Sequence, residues 1–181
     1  IMPQHIVVTE YHSEWVSMFE EEARLLKSIL RENCMAVYHI GSTAVPGLKA
    51  KPVIDMMPVV HELQKVDDLM EEFVKSGYEY MGEFGIAGRR YLRKGGDERT
   101  HQVHIFEKTN KTQIDRHLAV RDFLRMHREI AEEYGALKEE LAGMFPYDIE
   151  GYCDGKEEFM KTLERKALEW KDGQTGKRQF V

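Results

Sequence analysis

The sequence is poor in cysteine, which excludes a class of small stapled folds. Cys34 and Cys153 are its only two cysteines, and they are too few and too far apart for a disulfide framework or a zinc knuckle. Two isolated cysteines usually act as small apolar residues that stay reduced in the cytosol. We therefore expect a cytoplasmic protein whose 181 residues bury a core without covalent staples.

An excess of basic residues is also missing. The 32 Asp and Glu residues outnumber the 26 Lys and Arg residues, which gives a formal net charge of -6. Proteins that coat DNA or RNA usually have the opposite imbalance, because their cations displace the counterions of the phosphates. The composition argues against an extended nucleic-acid partner, although local cations can still bind one nucleotide or another phosphorylated small molecule.

Long hydrophobic runs are absent as well. No window approaches the roughly 18 apolar residues that a membrane-spanning helix needs, and the start of the sequence lacks the apolar core of a signal peptide. We expect no membrane partner.

The most informative segment that is present covers residues 39–55. An apolar run ends in Gly41 and Ser42, a loop with Gly and Pro follows, and a second apolar run carries Asp55. Gly41 lets the backbone approach a ligand, while Ser42 supplies a hydroxyl and an N–H group. The arrangement is typical of a site that holds a phosphate at the first strand and a metal at the second.

Turn residues divide the first part of the chain into about five predicted strands. The loop between 35–40 and 52–60 is too short for a long crossover helix, so these strands should be antiparallel neighbours or be joined by one helical turn. A further strand is predicted at 78–81, and 89–94 with 101–107 should form a hairpin. Residues 6–8 are a short β-prone run, and helices from Ser13 and over 62–76 should cover the sheet.

The chain after Asn110 has a helical composition as far as Asp172. Breaks near Arg128, around Pro146 and over 151–155 predict three helices there. We therefore expect an α/β (α+β) fold with a mixed, mostly antiparallel sheet and covering helices.

The predicted organisation has three parts. Residues 1–108 form the sheet domain, residues 109–172 form a helical lobe packed on it, and residues 173–181 form a mobile tail. A cleft is expected between the two lobes, where Ser42 and Asp55 emerge.

Asp55 is the first candidate for chemistry. It stands between Ile54 and Met56 in an apolar strand, where a carboxylate is costly to desolvate unless a cation or hydrogen-bond donors receive it. A metal or a ligand would serve this purpose. Capping of a helix or an ion pair with Lys51 would serve it equally.

A family resemblance is carried by residues 39–48, followed by 50–55. Together they resemble the signature of the GrpB-like family, which is similar in fold to the DNA polymerase beta-like nucleotidyltransferase superfamily. The resemblance covers nearly the whole chain. Its other parts are Tyr11, Trp15, residues 101–106, residues 121–125, Tyr134 with Lys138, and Tyr152 with Lys156.

The superfamily resemblance implies a Gly-Ser pair at the phosphates and three carboxylates around divalent ions, Mg²⁺ or Mn²⁺. Asp55 matches the first carboxylate, but the second position holds Met57, whose thioether does not ligate Mg²⁺. His104 lies near the position of the third, with Glu107 as a competing candidate. We predict Asp55 and His104 as catalytic and metal-binding residues.

A further set of residues is predicted to hold the phosphates. Arg121 and Arg125 share a helix face, where like charges are unfavourable unless anions receive them; Asp122 or glutamates elsewhere could also neutralise them. The full set is Gly41, Ser42, Thr43, Lys51, Arg121, Arg125, Lys138 and Lys156.

Three functions fit these residues. The leading hypothesis is a nucleotidyltransferase-like protein that binds a nucleoside triphosphate and transfers a nucleotidyl group to an acceptor. The alternative is a domain of the same fold that has lost catalysis and binds a ligand or a partner, which Met57 favours. The third is a transition-metal enzyme built on His39, Asp55 and His104.

Overall fold

The computed structural model describes residues 4–179, with side chains described as far as residue 174. Its centre is a five-stranded sheet in the order β1-β2-β5-β4-β3. The strands β2 and β5 run parallel, whereas the other three pairs are antiparallel. The predicted mixed, mostly antiparallel sheet is confirmed. Its strands are β1 (Cys34–Ile40), β2 (Ile54–Val60), β3 (Tyr78–Tyr80), β4 (Arg89–Lys94) and β5 (His101–Glu107).

Both predicted pairings are present. β1 pairs with β2, with Ile40 opposite Asp55, and β4 pairs with β5 as a hairpin. The β-prone run at residues 6–8 does not form a strand, and its neighbourhood contributes one bridge between Thr9 and Ala50. Ile6 is instead buried against the helical lobe, which explains the apolar character of this run.

One face of the sheet is covered by helices that precede β3. They are α1 (Glu14–Leu30), α2 (Gln64–Asp67) and α3 (Met70–Lys75). Leu26, Met56 and Phe73 are completely buried in the core between these layers. The prediction of a single helix over 62–76 is wrong, because the structure has the two short helices α2 and α3 there. The side chain of Asp67, the last residue of α2, accepts a hydrogen bond from Arg90 Nε on β4.

The other face of the sheet packs on the first of three further helices. These are α4 (Lys111–Met126), α5 (Arg128–Met144) and α6 (Ile149–Gln179). Met57 and Phe106 are completely buried on this face, with Ile114 and Leu118 of α4 against them. The predicted number of helices after Asn110 is confirmed.

The predicted break at residues 151–155 is wrong, because these residues lie inside α6. A Cβ atom on Gly155 would lie 2.4 Å from Leu141 Cδ2 on α5. This glycine allows two helices to approach closely and does not end a helix. α6 also continues across Gly173 to Gln179, so the segment predicted as a tail is helical up to that residue.

The loop after β1 joins the two lobes. Val45 and Leu48 of this loop are buried in one core with Phe123, Tyr134 and Leu163 of the three long helices. The segment with Gly41 and Ser42 is thus held by the sheet, which contains β1, and by the helical lobe. Within the part of the chain that the structure describes, no helix is both long and apolar enough to cross a membrane.

Candidate functional site

The Gly-Ser segment forms a tight turn at the end of β1. Gly41 has a φ of +73°, a left-handed conformation that disfavours residues with a side chain. A Cβ atom at this position would also lie 2.9 Å from Asp55 Oδ2. Glycine is therefore required at position 41 for two reasons, the positive φ of the backbone and the close approach of the Asp55 carboxylate on β2.

A cleft of about 200 Å³ opens next to this turn. The turn and β2 form one wall, and α5 and α6 form the other. Of the side chains that line it, Asp55 bears the one carboxylate and three lysines bear ammonium groups. The lining residues are Gly41, Ser42, Thr43, Ala50, Lys51, Val53, Asp55, Gln102, Tyr134, Lys138, Tyr152 and Lys156.

Lys138 is the most deeply buried of the three lysines, with 2% of its surface exposed. Its Nζ atom donates a hydrogen bond of 2.7 Å to Ser42 Oγ. Burial, followed by repulsion from Lys156 and Lys51, lowers the pKa of Lys138 to about 7, and Asp55 opposes this change. The ammonium group is thus close to losing its proton at neutral pH.

Two Tyr–Lys pairs of the same spacing form the helical wall of the cleft. Lys138 Nζ lies 4.3 Å from the ring centre of Tyr134, and Lys156 Nζ lies 4.9 Å from that of Tyr152. Residues four apart share a helix face, and each ring is an electron-rich surface for its ammonium group. The rings stabilise the lysines without neutralising them.

Tyr152 occupies a special place between two cations. Lys51 Nζ lies 5.2 Å from its ring centre, which adds to the contact with Lys156. Its hydroxyl is the one buried side-chain nitrogen or oxygen atom, among the described residues, that has no hydrogen-bond partner. Burial raises the pKa of this tyrosine, so the hydroxyl keeps its proton and can act as a donor.

The carboxylate of Asp55 is oriented by a chain of two polar side chains, His104 and Arg89. His104 Nε2 lies 3.1 Å from Asp55 Oδ1, and Arg89 Nη1 lies 3.4 Å from His104 Nδ1. A guanidinium group can only donate, so Nδ1 accepts and the Nε2–H group donates to Asp55. The chain fixes the orientation of the carboxylate at the edge of the cleft.

The contacts of His104 bear on its predicted role as a metal ligand, which stays a prediction. Both ring nitrogens are engaged, one with Asp55 and one with Arg89, so neither presents a free lone pair to a cation. Across the described residues, no group of three or more His, Cys, Asp and Glu side chains could hold a metal ion.

His39, the third member of the proposed transition-metal site, faces away from Asp55. Its ring stacks on Phe19 of α1 at 4.7 Å between ring centres, and its Nε2 atom lies 2.9 Å from Thr43 Oγ1. Burial lowers the pKa of His39 to about 4. This histidine is a neutral core residue, and the transition-metal hypothesis loses one of its three ligands.

Arg121 and Arg125 do not reach the cleft. They line a separate cavity of about 300 Å³ on the other side of the turn. Arg121 pairs with Asp122, and Arg125 Nε donates to the Ala44 carbonyl. Asp122 therefore neutralises part of this charge, as the alternative interpretation of the spacing expected.

A larger depression of about 580 Å³ lies along β3 and β4 and is not lined by Asp55. It is lined by Met70, Val74 and residues of the β4–β5 turn, and it contains none of the predicted site residues. The smaller cleft is the candidate site because the Gly-Ser turn, Asp55 and the lysines converge there.

Sequence reasoning missed Gln102 and the role of Arg89. Gln102 pairs with Asp55 across the parallel strands and lines the cleft. Its alternation with His104 along β5 was a usable signal, because residues two apart in a strand share a face. Arg89 is buried, and nothing in its immediate sequence indicates the contact with His104.

Comparison with known proteins places these residues in a family. The family described as GrpB protein matches residues 5–166. The UPF0157 protein YqkA of Bacillus subtilis (strain 168) is 45% identical, over 90% of this chain and 47% of YqkA, so this chain spans about half the length of that relative. The crystal structure of GrpB from Enterococcus faecalis is 55% identical, covers 90% of this chain and 98% of that chain, and has a TM-score of 0.88.

A more distant likeness concerns the fold alone. The Cid1 poly(U) polymerase is 11% identical, covers 73% of this chain and 41% of that chain, and has a TM-score of 0.50. The predicted relation to nucleotidyltransferase-like folds is confirmed.

Proposed function

Since this chain belongs to the GrpB family and has a nucleotidyltransferase-like fold, we propose that the cleft binds a nucleoside triphosphate and uses it as a nucleotidyl donor. The observation that carries the proposal is the convergence of Lys51, Lys138 and Lys156 on a cleft with one carboxylate. Buried ammonium groups are costly unless anions receive them. A triphosphate supplies several anionic oxygens at once.

The size of the cleft indicates which part of the nucleotide it takes. Pockets that enclose a whole drug-sized ligand usually measure about 300–1,000 Å³, whereas this cleft measures about 200 Å³. The triphosphate therefore lies against Ser42 and the lysines, and the nucleoside lies at the mouth. Electrostatic stabilisation of phosphate oxygens by such preorganised cations is the main catalytic device in this class of reaction.

A divalent ion, Mg²⁺ or Mn²⁺, fits this site if it arrives with the nucleotide. Mg²⁺ commonly uses one or two carboxylates together with substrate phosphates, and Asp55 with Gln102 supplies a carboxylate and an amide oxygen. When bound, the ion would neutralise charge on the phosphates. Met57 is completely buried among apolar side chains, so a second ion of the two-metal type has no second carboxylate.

The test is calorimetry with ATP, CTP, GTP and UTP in the presence of Mg²⁺ or Mn²⁺. We expect binding of at least one nucleotide, and about a tenfold or larger loss of affinity in Lys156→Met, because a charge-assisted phosphate contact is removed. Lys166→Met is the matched control, since Lys166 is exposed on the same helix. Absence of binding to all four nucleotides at millimolar concentration would contradict the proposal.

A second candidate function is ligand binding without transfer. The apolar surroundings of Met57 favour it, because the usual pair of carboxylates cannot be completed there. Incubation of the protein and a cell lysate with α-labelled nucleotides distinguishes the two functions. Transfer of label that Asp55→Asn abolishes supports the transferase, whereas nucleotide binding with no transfer by the unchanged protein supports the second candidate.

A further inference from the structure

The contact between Lys138 and Ser42 has a chemistry of its own. Lys138 Nζ lies 2.7 Å from Ser42 Oγ, and no carboxylate among the described residues forms an ion pair with this lysine. A lysine that is desolvated beside a serine hydroxyl is the arrangement of serine nucleophiles that use a lysine as the base. The pair lies inside the cleft, where a ligand would meet it.

We propose that Ser42 is a nucleophile, that Lys138 is its general base, and that the pair accepts the nucleotidyl group of the bound triphosphate on Ser42. This inference rests on the proposed nucleotide binding and names the first acceptor in the reaction. Ser42 Oγ forms a bond to the α-phosphorus, and the bond from that phosphorus to the bridging oxygen breaks. Pyrophosphate leaves with that oxygen, and the hydroxyl proton moves to Lys138 Nζ.

The protonation state of Lys138 fits the role of a base. Desolvation and two neighbouring lysines lower its pKa to about 7, so a large fraction is neutral at neutral pH and can accept a proton. Burial raises the pKa of Tyr134 to about 12, so this neighbour does not compete as a base. The titratable groups that face Lys138 or its partners are Lys51, Asp55, Tyr134, Tyr152, Cys153 and Lys156.

The remaining cations and the free hydroxyl complete the site. Lys51 and Lys156 flank Tyr152 and neutralise the phosphates and the leaving pyrophosphate. The Tyr152 hydroxyl is buried without a partner in the described part of the chain, on a residue that lines the cleft. Nucleophile, base and donors thus lie in one cleft.

This arrangement also explains how the cleft could activate a hydroxyl with Asp55 as its one carboxylate. In a two-metal site, an ion held by paired carboxylates activates the attacking hydroxyl. Met57 removes that pair here, whereas a lysine base activates a hydroxyl without a metal. Lys138 takes over the task that the second carboxylate would serve.

Other serines of the chain provide internal controls. The hydroxyls of Ser17 and Ser28 donate to the carbonyls of Glu14 and Leu25 at 2.9 and 2.6 Å. Their protons are therefore engaged with backbone and have no basic side chain to receive them. A reagent that tests serine nucleophilicity should modify Ser42 and leave these two unmodified.

The first experiment uses a fluorophosphonate, a phosphorus electrophile that does not require nucleotide binding. We expect a Ser42 adduct by peptide mass spectrometry, with a rate that increases as pH rises through about 7, where Lys138 loses its proton. Lys138→Met should slow the reaction about a hundredfold, the usual range for loss of a general base. Lys166→Met, on the exposed surface, should react at the normal rate.

Two results in this experiment would overturn the nucleophile and its base. One is the lack of a Ser42 adduct at alkaline pH in the unchanged protein, and the other is an adduct whose rate does not respond to Lys138→Met. Both results are independent of any nucleotide. They therefore leave the proposed function open while removing this inference.

The second experiment compares nucleotides labelled at the α- and γ-phosphorus. Label from the α-position should remain on the Ser42 peptide and be lost in Ser42→Ala, whereas retention of the γ-label would overturn the proposed bond changes. A fluorophosphonate adduct without any label from nucleotide would overturn Ser42 as the acceptor, whereas the calorimetry with the four nucleotides decides the proposed function independently. The outcomes thus separate the failure of the two proposals.

Discussion

At the scale of single residues, the buried ammonium group of Lys138 lowers the stability of the fold and serves the site. The buried side of α5 has the helical spacing of Ala131, Tyr134, Gly135, Lys138 and Leu141. An apolar side chain at position 138 would continue this stripe, whereas an ammonium group without a carboxylate must be desolvated at a cost. A methionine of similar length should therefore suit the fold better than the lysine does.

The replacement Lys138→Met should stabilise the protein by about 1 kcal/mol at neutral pH, as is common when a functional strain is removed. The pKa of Lys138 is lowered to about 7 in the folded chain, far below its ordinary value of about 10.4. Between these values the unfolded chain binds more protons than the folded chain, so the unfolding free energy rises with pH. Lys138→Met should lose this rise.

Urea denaturation at about pH 7 and about pH 9 measures the effect. The unchanged protein should gain more stability between the two pH values than Lys138→Met does. The exposed Lys166→Met should behave like the unchanged protein. Equal gains in Lys138→Met and the unchanged protein would show that this ammonium group is not desolvated.

At the scale of elements, the sequence predicted strands better than helix ends. Alternation and turn residues located all five strands of the sheet, β1 to β5, because each is bounded by residues with a clear turn function. Glycine misled the prediction in α6. A glycine that lets two helices approach closely and a glycine that ends a helix look alike in the sequence. Only the neighbouring helix distinguishes them.

Two alanine substitutions in α6 distinguish these functions of glycine. Alanine favours a helix over glycine by about 1 kcal/mol, and Gly173→Ala should gain stability because nothing lies within 4 Å of the added atom. Gly155→Ala should instead lose about 1–3 kcal/mol through overpacking, because its Cβ would meet Leu141 at 2.4 Å. Thermal denaturation of both variants measures the difference.

The Gly173→Ala variant also tests the predicted mobile tail. A gain in stability agrees with a helix that continues past Gly173, whereas no change would agree with a tail. For Gly155→Ala, an increase in stability would show that Leu141 moves aside at little cost.

At the scale of the whole molecule, the sequence could not decide which cations meet. The family resemblance included both Arg121 and Lys138, and no neighbour in the sequence shows which cavity either cation lines. The packing of α4 behind the turn sends Arg121 to another cavity, while α5 and α6 bring their lysines to Ser42. Such long-range placement depends on the core that joins the lobes.

Leu48 forms much of that junction. It is 2% exposed and belongs to the sheet part of the chain, yet it packs with Phe123, Tyr134 and Leu163 of the helical lobe. Leu48→Ala should cost about 2–5 kcal/mol, the usual cost of a buried leucine. Because the lobes share this core, the loss should shift one cooperative transition and should not divide it.

Calorimetry with a far-ultraviolet circular dichroism melt measures both the shift and the number of transitions. Leu168→Ala is the control, since Leu168 lies on α6 with 36% of its surface exposed, and it should cost well below 1 kcal/mol. Two separate transitions in Leu48→Ala would mean that residues 1–108 and 109–172 fold independently. The cleft would then be an interface between two domains, and its lysines would be positioned by docking and not by a shared core.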